Sequence, residues 1–446
     1  MRDLAAVFSR LFCLFAGDPL LSRAWEIAFR FVPFVLFFEL PLYLLVILGV
    51  LRHGLARMNE LPWRSGYYPS VSCIVTCYSE GEAVAQTIRS LAEQIYPGPI
   101  QILPVIDGAA RNGGTYRAAR AMEPVVAAMK NRTLQVIPKW QRGGRVSALN
   151  TARNFADGEI VMALDGDTSF DNDMVERATR HFEDRRVVAV SGCLRVRNVR
   201  ASLATRLQAI EYFLSIQASK TGLSAFNVVN NISGAFGVFR RTVLDAVRGW
   251  DAGTAEDLDM TLRIKNYFAR QGGNFRIVFD PEALGFTDVP ETFRGFFLQR
   301  LRWDGDLSYL YFRKHWRSFS PHLVGWKNFF LMIWTGLLFQ IVMPLVIILY
   351  TVYLLAVYPP LFVLSVLALI YLFYLVMTFL LYVPFVVLLS ERPREDFSLL
   401  PWIVLTPLFA FAGRINNAFA TLWELLGRGH EDTSMAPWWT TRKSKF

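Results

Sequence analysis

Gln299-Arg300-Leu301-Arg302-Trp303-Asp304-Gly305-Asp306 marks the point at which the character of the chain changes. Before this stretch, short apolar runs alternate with amphipathic ones, and after it long apolar runs dominate. Guanidinium groups bind phosphate oxygens in a bidentate fashion and indole rings stack on planar or sugar surfaces, so the cluster suits a phosphorylated sugar. An Arg- and Trp-rich cluster beside a membrane segment is equally typical of an interfacial anchor. The stretch alone leaves both interpretations open.

The composition indicates a membrane protein. The 446 residues are 53% hydrophobic and 14% aromatic, which is too apolar for an ordinary soluble globule. The formal net charge of +10 raises the question of nucleic acid, but Lys and Arg are spread along the chain without helix-turn-helix or zinc-finger spacing. We therefore expect contact with membrane lipid and an anionic substrate, and no nucleic acid.

The cysteines and histidines do not indicate a metal or disulfide framework. The four cysteines form no paired CxxC, and Cys73 and Cys77 lie within an apolar run, so buried thiols in a reducing compartment are expected. The five histidines have no metal-ligand or triad spacing, and surface or interfacial positions are expected for all of them.

Apolar runs of membrane-crossing length flank the α/β region. The run at 31–51 is followed at once by a basic cluster that begins at Arg52, which predicts that the next domain is cytoplasmic. Runs at 329–357 and 361–389 are bracketed by basic residues and predict a hairpin that opens and closes on the same face. A last run at 399–423 contains polar residues and predicts either a third span or a re-entrant helix.

The predicted organisation has six parts. They are an N-terminal interfacial segment at 1–30, a transmembrane helix at 31–51, a cytoplasmic domain at 52–290, interfacial helices at 291–325 that carry Gln299 to Trp303, a C-terminal transmembrane region at 326–425 and a basic tail at 426–446. Within the cytoplasmic part, the stretch 203–220 is amphipathic but too short to span a membrane, and it is expected to lie on the membrane or to brace an acceptor site.

The cytoplasmic part has the signature of repeated strand–helix units on a mainly parallel sheet. We predict strands at 71–77, 100–106, 133–137, 160–164 and 187–190, and helices at 82–94, 116–129, 145–155 and 172–183. Ligands of such sheets bind beyond the carboxyl ends of the strands. The residues at those ends are Tyr78, Asp107, Lys139 and the triplet Asp165-Gly166-Asp167.

Each of these motifs has a functional and a purely structural interpretation. Asp165 and Asp167 can share a Mg²⁺ or Mn²⁺ with a diphosphate, because hard cations prefer oxygen ligands, but an Asp-Gly turn looks the same. Asp107 suits a nucleoside or a turn before Gly108. The turn Gly143-Gly144-Arg145 resembles a phosphate-facing helix start. No Walker A sequence is present, so an ATPase or GTPase is not supported.

The stretch Thr254-Ala255-Glu256-Asp257 is similarly ambiguous. A threonine followed three residues later by an acid is a capping-box variant, which would make the stretch a simple helix start. The alternative makes Asp257 a general base for a hydroxyl group.

The order of these motifs resembles the membrane-embedded processive glycosyltransferases of family 2, which include the synthases of cellulose, hyaluronan, chitin, chitooligosaccharides and poly-N-acetylglucosamine. The resemblance covers roughly residues 68–303 with the flanking spans, and the Q-x-x-R-W pattern of Gln299, Arg302 and Trp303 is its most specific part. It implies an α/β glycosyltransferase domain, GT-A-like with a mainly parallel sheet, inserted between transmembrane and interfacial helices.

The resemblance also implies a role for each motif residue. Asp257 would be the catalytic base, Asp165 and Asp167 would bind Mg²⁺ or Mn²⁺, and the acceptor would contact Ser233, Gly234, Glu256, Gln299 and Trp303. The nucleotide would contact Tyr78, Asp107, Lys139, Arg145, Asp165 and Arg302. Many relatives have a second lysine where Arg145 stands, and several read Thr-Glu-Asp where this chain has Ala255-Glu256-Asp257.

The resemblance implies an inverting transferase in the bacterial inner membrane with its catalytic domain in the cytoplasm. It would use a UDP-sugar, UDP-N-acetylglucosamine or UDP-glucose, to extend a β-linked polysaccharide that leaves through the membrane. A glycolipid product and a non-enzymatic receptor for nucleotide sugars remain alternatives. The sequence leaves open the donated sugar, the linkage, the product length, and an accessory subunit or homo-oligomer.

Overall fold

The computed structural model describes residues 35–58, 66–251 and 255–427. The predicted interfacial segment at 1–30, Thr254 and nearly all of the predicted tail at 426–446 lie outside this part of the chain. The strands are β1 (Val71–Cys77), β2 (Ile100–Asp107), β3 (Arg132–Leu134), β4 (Ile137–Lys139), β5 (Ile160–Asp165), β6 (Ser169–Phe170), β7 (Val187–Val196), β8 (Phe236–Arg240) and β9 (Arg276–Thr287).

The α-helices of the described residues begin with α1 (Leu40–Met58), which continues a π-helical turn at Val35–Glu39. The next are α2 (Ala83–Ala92), α3 (Gly113–Ala121), α4 (Glu123–Ala127), α5 (Arg145–Arg153), α6 (Met174–Arg180), α7 (Leu203–Tyr212), α8 (Ser219–Ser224), α9 (Arg241–Ala246) and α10 (Glu256–Arg270). The C-terminal part contains α11 (Phe293–Tyr309), α12 (Pro321–Val324), α13 (Trp326–Leu331), α14 (Met343–Val357), α15 (Pro360–Leu389), α16 (Pro393–Phe397) and α17 (Thr406–Gly427).

The strands form one mixed sheet in the order β3-β2-β1-β5-β8-β7-β9-β6, and β4 pairs with the far end of β2. Strand β8 runs antiparallel to both β5 and β7, and β6 runs antiparallel to β9. The other five pairings are parallel, which confirms the predicted α/β domain with a mainly parallel sheet.

Strand β1 explains why the sequence of this sheet is so continuously apolar. Its alternate residues Val71, Cys73 and Val75 face a core that includes helix α2, whereas Ile74 faces a second core that includes α5 and α10. Both faces of the sheet are therefore covered, and every position of the strand is buried. The three described cysteines are free and buried, as predicted.

Strands β6, β8 and β9 were not predicted from the sequence, and several predicted boundaries were wrong. Strand β9 contains Asp280-Pro281-Glu282, which has the composition of a turn, but the sheet accommodates it at an irregularity of the β7–β9 register. The predicted strand at 133–137 is divided into β3 and β4, and the predicted helix at 116–129 is divided at Met122 into α3 and α4.

In the described part of the chain, four helices are long and apolar enough to cross a membrane: Phe37–Met58, Trp326–Val357, Pro360–Leu389 and Leu400–Gly427. The first continues about two turns beyond the predicted limit at residue 51, so Arg52 lies on the helix and not after it. The stretch 203–220 forms α7, the π-helical turn Phe213–Ala218 and the start of α8, and most of its residues are buried within the protein. There α8 contacts α1 so closely that a Cβ on Gly49 would lie 2.2 Å from the Gly222 carbonyl oxygen.

Candidate active site

The carboxyl ends of four neighbouring strands meet at one edge of the sheet. In the parallel register, Thr76 of β1 lies beside Asp165 of β5, and Asp107 of β2 lies beside Lys139 of β4. Tyr78 follows β1 at the same edge and is 43% exposed. The structure therefore brings together the strand-end residues that the sequence analysis selected.

Asp107 binds the glycine turn that begins helix α5. Its Oδ1 accepts hydrogen bonds from Lys139 Nζ at 2.9 Å and from the Gly143 N–H at 2.8 Å, and its Oδ2 accepts from the Gly144 N–H at 2.8 Å. Gly144 adopts a positive φ of 82°, which a residue with a side chain adopts only with strain. The anion at this helix start is thus the protein's own Asp107, and its contacts fix the position of the adjacent Arg145.

Arg142 is a residue of this edge that the sequence analysis missed. Its guanidinium carbon lies 4.0 Å from the centroid of the Tyr78 ring, a cation–π arrangement. The two side chains come from the end of β1 and from the turn before α5. The sequence signal was an arginine directly before the Gly143-Gly144 pair, but only the folded turn places it over the tyrosine.

Arg145 connects the acidic motifs. Its guanidinium donates hydrogen bonds to the carboxylates of Asp165 and Glu256, to Thr76 Oγ1 at 2.9 Å and to the Gly234 carbonyl oxygen at 2.7 Å. Burial disfavours the charged guanidinium, but Asp165 and Glu256 outweigh it and raise the pKa of Arg145 above its usual value. This one cation therefore contacts acidic residues that lie 20 and 111 residues from it in the chain.

A concentration of negative charge surrounds the end of β5. Burial, together with the charge of Asp165, raises the pKa of Asp167. Burial also raises the pKa of Glu80 to about 7, with Asp167 and Asp165 contributing to the rise. Neither Asp167 nor Glu80 forms an ion pair with any described residue. Carboxylates in this condition fit a divalent cation, which would relieve their repulsion.

The protein itself provides only part of a coordination sphere. Among the described residues, no group of three or more His, Cys, Asp or Glu side chains is arranged to hold a metal ion. A cation held by Asp165 and Asp167 would therefore need further oxygen ligands from water or a substrate.

Glu256 and Asp257 begin helix α10. The N-cap residue is Ala255, which makes no side-chain capping bond, and Thr254 of the predicted capping box lies outside the described residues. Asp257 Oδ1 accepts from the Leu258 N–H at 2.7 Å, and its Oδ2 accepts from Asn231 Nδ2 at 2.9 Å. Burial raises the pKa of Asp257, while the Leu258 N–H and the charges of Lys220 and Arg145 oppose the rise.

Gly234 fits closely against this helix start. A Cβ at Gly234 would lie 3.0 Å from Glu256 Oε1 and 3.4 Å from Asp257 Cβ. Its neighbour Ser233 is fixed by a hydrogen bond from its N–H to Ser191 Oγ at 3.1 Å. The Ser233–Gly234 segment therefore lies directly beside the acidic pair.

Gln299, Arg302 and Trp303 lie on helix α11 and form no hydrogen bond or ion pair with the acidic cluster among the described residues. Gln299 Oε1 is buried without a hydrogen-bond partner in the described chain, and Arg302 forms no ion pair there. Trp303 is 38% exposed. The stretch lies in the middle of α11, a helix that packs against α17, where Asn416 Nδ2 donates to the Phe297 carbonyl oxygen at 3.2 Å.

Arg300 is the arginine of this stretch that contacts an aromatic ring and a carboxylate. It lies 4.7 Å from the Trp303 ring and pairs with Glu211 Oε1 at 2.9 Å. Arg300 and Asp167 both influence the pKa of Tyr212, which burial raises to about 12. Helix α7 therefore contacts the Q-x-x-R-W stretch through the Glu211–Arg300 ion pair.

One histidine prediction was wrong. His315 is buried, and its Nε2 lies 2.8 Å from Asp259 Oδ1 on α10. Asp259 also pairs with Arg263 and Lys314, so the network attaches α10 to the segment after α11. These groups lie outside the proposed ligand sites and stabilise the packing of the acidic helix.

The fold and the site define a GT-A-like glycosyltransferase domain flanked by candidate membrane helices. A family model described as glycosyltransferase like family 2 matches residues 69–305, which is more than half of the chain, and the chain belongs to this family. The match includes the strand ends, the acidic helix start and the Q-x-x-R-W stretch.

Poly-beta-1,6-N-acetyl-D-glucosamine synthases are among the curated relatives. The chain is 30% identical over 235 residues to that of Staphylococcus epidermidis, covering 52% of this chain and 53% of the relative. It is 28% identical over 237 residues to that of Staphylococcus aureus strain COL, with the same coverage. The chain thus matches about half the length of these relatives.

A solved structure has a similar fold. It is the mannosyltransferase PcManGT from Pyrobaculum calidifontis in complex with GDP-Man and Mn2+, with a TM-score of 0.51 and 21% sequence identity. The similarity covers 86% of this chain and 99% of that structure. At this identity it supports the fold alone.

Proposed function

We propose that this membrane glycosyltransferase transfers a sugar from a UDP-sugar, with inversion, to the end of a β-linked polysaccharide. The donor is UDP-N-acetylglucosamine or UDP-glucose. The observation that carries the proposal is the contact set of Arg145, because it joins the strand-end Asp165, the helix-start Glu256 and the Gly234 carbonyl in one site. The names of the staphylococcal relatives support a polysaccharide product.

The nucleotide would bind at the exposed side of Tyr78 and Arg142. An aromatic ring beneath a guanidinium offers stacking surfaces to a pyrimidine, and Asp107 and Lys139 lie at the adjacent strand ends. Lys139 Nζ is also 2.8 Å from Ser147 Oγ, so its ammonium group is held in place before it meets an anion. Asp107 would act mainly by fixing this turn, with ribose or base as additional partners.

Asp165 and Asp167 would hold Mg²⁺ or Mn²⁺. When bound there, such an ion would supply positive charge against the diphosphate of the leaving UDP. The diphosphate would complete the ligand set that two carboxylates leave open. Asp165 would also remain the partner of Arg145, which ties the diphosphate site to the acidic helix start.

Asp257 would take the proton of the acceptor hydroxyl. Its carboxylate lies at the start of α10 beside Ser233 and Gly234, so a hydroxyl on that side lies within reach of the base. Ionisation of a partly buried carboxylate is costly, and Lys220 and Arg145 offset this cost by their positive charge. Glu256 would stay bound to Arg145 and shape the acceptor side of the pocket.

The Q-x-x-R-W helix would bind both products of the transfer. Arg302, which pairs with no described acid, would contact the leaving UDP. Gln299, with a buried oxygen that has no partner in the described chain, and Trp303 would contact the acceptor sugar. Because α11 packs against α17, the acceptor end would enter the membrane bundle from this helix.

The chain would be an inner-membrane protein with its catalytic domain in the cytoplasm, where UDP-sugars are available. The basic residues that bracket the membrane helices support this orientation. The proposal keeps the six predicted parts of the chain, with the first transmembrane helix extended to Met58. An accessory subunit or a second copy of the chain is compatible with it.

The test is purified full-length protein in detergent or liposomes with Mg²⁺ or Mn²⁺ and a panel of UDP-sugars. We expect UDP release with one donor and a product that linkage-specific β-glycosidases digest. A product of one or two sugars on a lipid would replace the polysaccharide by a glycolipid. Tight UDP binding without UDP release from any donor and acceptor would indicate a nucleotide-sugar receptor and overturn the proposal.

A further inference from the structure

A buried lysine lies behind the acidic helix start. Lys220 on α8 is 8% exposed, and its Nζ donates to Asn231 Oδ1 at 2.7 Å and to the Asn231 carbonyl oxygen at 3.1 Å. Asn231 Nδ2 in turn donates to Asp257 Oδ2 at 2.9 Å. Three separate segments of the chain thus form one row of hydrogen bonds that ends on the carboxylate of Asp257.

The chemistry of the three groups fixes the direction of this row. A lysine ammonium group has only donors, so Asn231 must turn its amide oxygen toward Lys220 and its amide N–H toward Asp257. An asparagine held in this way donates to the carboxylate and cannot rotate to accept from it. The row therefore favours the ionised form of Asp257 and fixes the plane of its carboxylate.

We propose that Asn231 and Lys220 are positioning residues that orient Asp257 and keep it ionised for proton abstraction from the acceptor. This inference rests on the proposed role of Asp257 as the base. Lys220 acts through Asn231 and through its charge, and touches no substrate.

The charges around Asp257 support this division of roles. The groups that face it are Lys220 from α8, Arg145 from α5 and Glu256 from its own helix. Arg145 is already paired with Glu256 and Asp165, so Lys220 is the cation left to offset Asp257. Lys220 itself faces Asp257 and Cys193, and although burial lowers its pKa to about 8, it remains mostly charged at pH 7.

Lys265 provides a matched control, because it too is a buried lysine that binds the segment 229–231. It lies on α10, is 3% exposed, and its Nζ donates to the Val229 carbonyl oxygen at 2.6 Å, two residues before Asn231. Burial lowers its pKa to about 7. Lys220→Met and Lys265→Met each remove one buried ammonium group that anchors residues 229–231, but only the first breaks the row to Asp257.

The test compares the pH dependence of kcat for UDP release by wild type, Lys220→Met and Lys265→Met, with the donor that the panel identifies. Loss of the Lys220 charge makes ionisation of Asp257 harder. We therefore expect the acid limb of the Lys220→Met profile to move up by about one pH unit or more. In Lys265→Met, the acid limb should stay at the same pH as in wild type, even if kcat itself changes.

Asn231→Leu tests the contact itself. We expect kcat to fall by about 10- to 100-fold with KM for the donor within about twofold of wild type, because the base is misplaced and the nucleotide site is not. An unshifted acid limb in Lys220→Met, or an equal shift in Lys265→Met, overturns the proposal. If wild type releases no UDP, the proposed function fails first. The unfolding temperatures of Lys220→Met, Asp257→Asn and the double variant then test whether the row of hydrogen bonds exists. If the loss of unfolding temperature in the double variant equals the sum of the two single losses, the proposed row is overturned.

Discussion

Asp257→Asn is the substitution on which the assignment of the base depends. The hydrogen-bond partners of the carboxylate are donors: the Leu258 N–H to Oδ1 at 2.7 Å and Asn231 Nδ2 to Oδ2 at 2.9 Å, with the Gly234 N–H also directed at the carboxylate. An amide at this position has one acceptor oxygen and one NH₂ group, so its NH₂ group must face a donor. Asn231 cannot relieve the clash by rotating, because its oxygen accepts from Lys220.

The expected magnitudes follow from this geometry. A donor left without an acceptor in a largely buried site costs about 1–3 kcal/mol of unfolding free energy. A domain of this size loses roughly 2–4 °C in unfolding temperature for each kcal/mol. Loss of the base should lower transfer by about 10² to 10⁴-fold while UDP affinity persists. Asp257→Asn is thus expected to be somewhat less stable and almost inactive.

A double-mutant cycle separates the two effects. In Asp257→Asn combined with Lys220→Met, the side chain of Asn231 is free to rotate and to accept from the introduced amide. We therefore expect the double variant to be more stable than the sum of the single losses by about 1–3 kcal/mol, with no recovery of transfer. The assays are thermal unfolding, binding of labelled UDP and UDP release. A stable Asp257→Asn protein that transfers sugar at near wild-type rate would refute the assignment.

Three further predictions concern the metal, the topology and the membrane contact. EDTA-treated wild type should regain UDP release when Mg²⁺ or Mn²⁺ is added, and Asp165→Ala should not, and should also bind UDP more weakly. Full activity of wild type in EDTA would mean that the triplet Asp165-Gly166-Asp167 is only a turn. In a cysteine-free background, Pro360→Cys should react with a membrane-impermeant maleimide from outside the cell and Gly143→Cys should not; external labelling at residue 143 would reverse the topology. Gly49→Leu should lower the free energy of unfolding by roughly 1–3 kcal/mol or more, the usual cost of an overpacked contact, and the unfolding temperature should fall with it. The reason is that a Cβ at Gly49 would lie 2.2 Å from the Gly222 backbone. Gly54→Leu is its control, since the nearest atom to a Cβ there is 3.9 Å away, and equal losses in both variants would contradict the close contact.

Local patterns in the sequence determined the positions of strands β1, β2 and β5 and of the long apolar helices. Strands of a sheet covered on both faces must be apolar at every position, and 71–77 and 160–164 satisfy this without help from distant residues. The same holds for the run at 361–389, which the structure has as α15 within one residue. Motif order was enough to identify the family, because each motif follows a recognisable strand or helix.

Tertiary structure alone decided which side chains of the site touch. Sequence placed Arg145 near phosphates, but the fold surrounds it with carboxylates 20 and 111 residues away, which no local pattern encodes. The same is true of Lys220, which lies in an amphipathic helix and carries no motif. Its role appears only when Asn231 lies between Lys220 of α8 and Asp257 of α10, because the energy of a buried charge depends on which partners surround it in space.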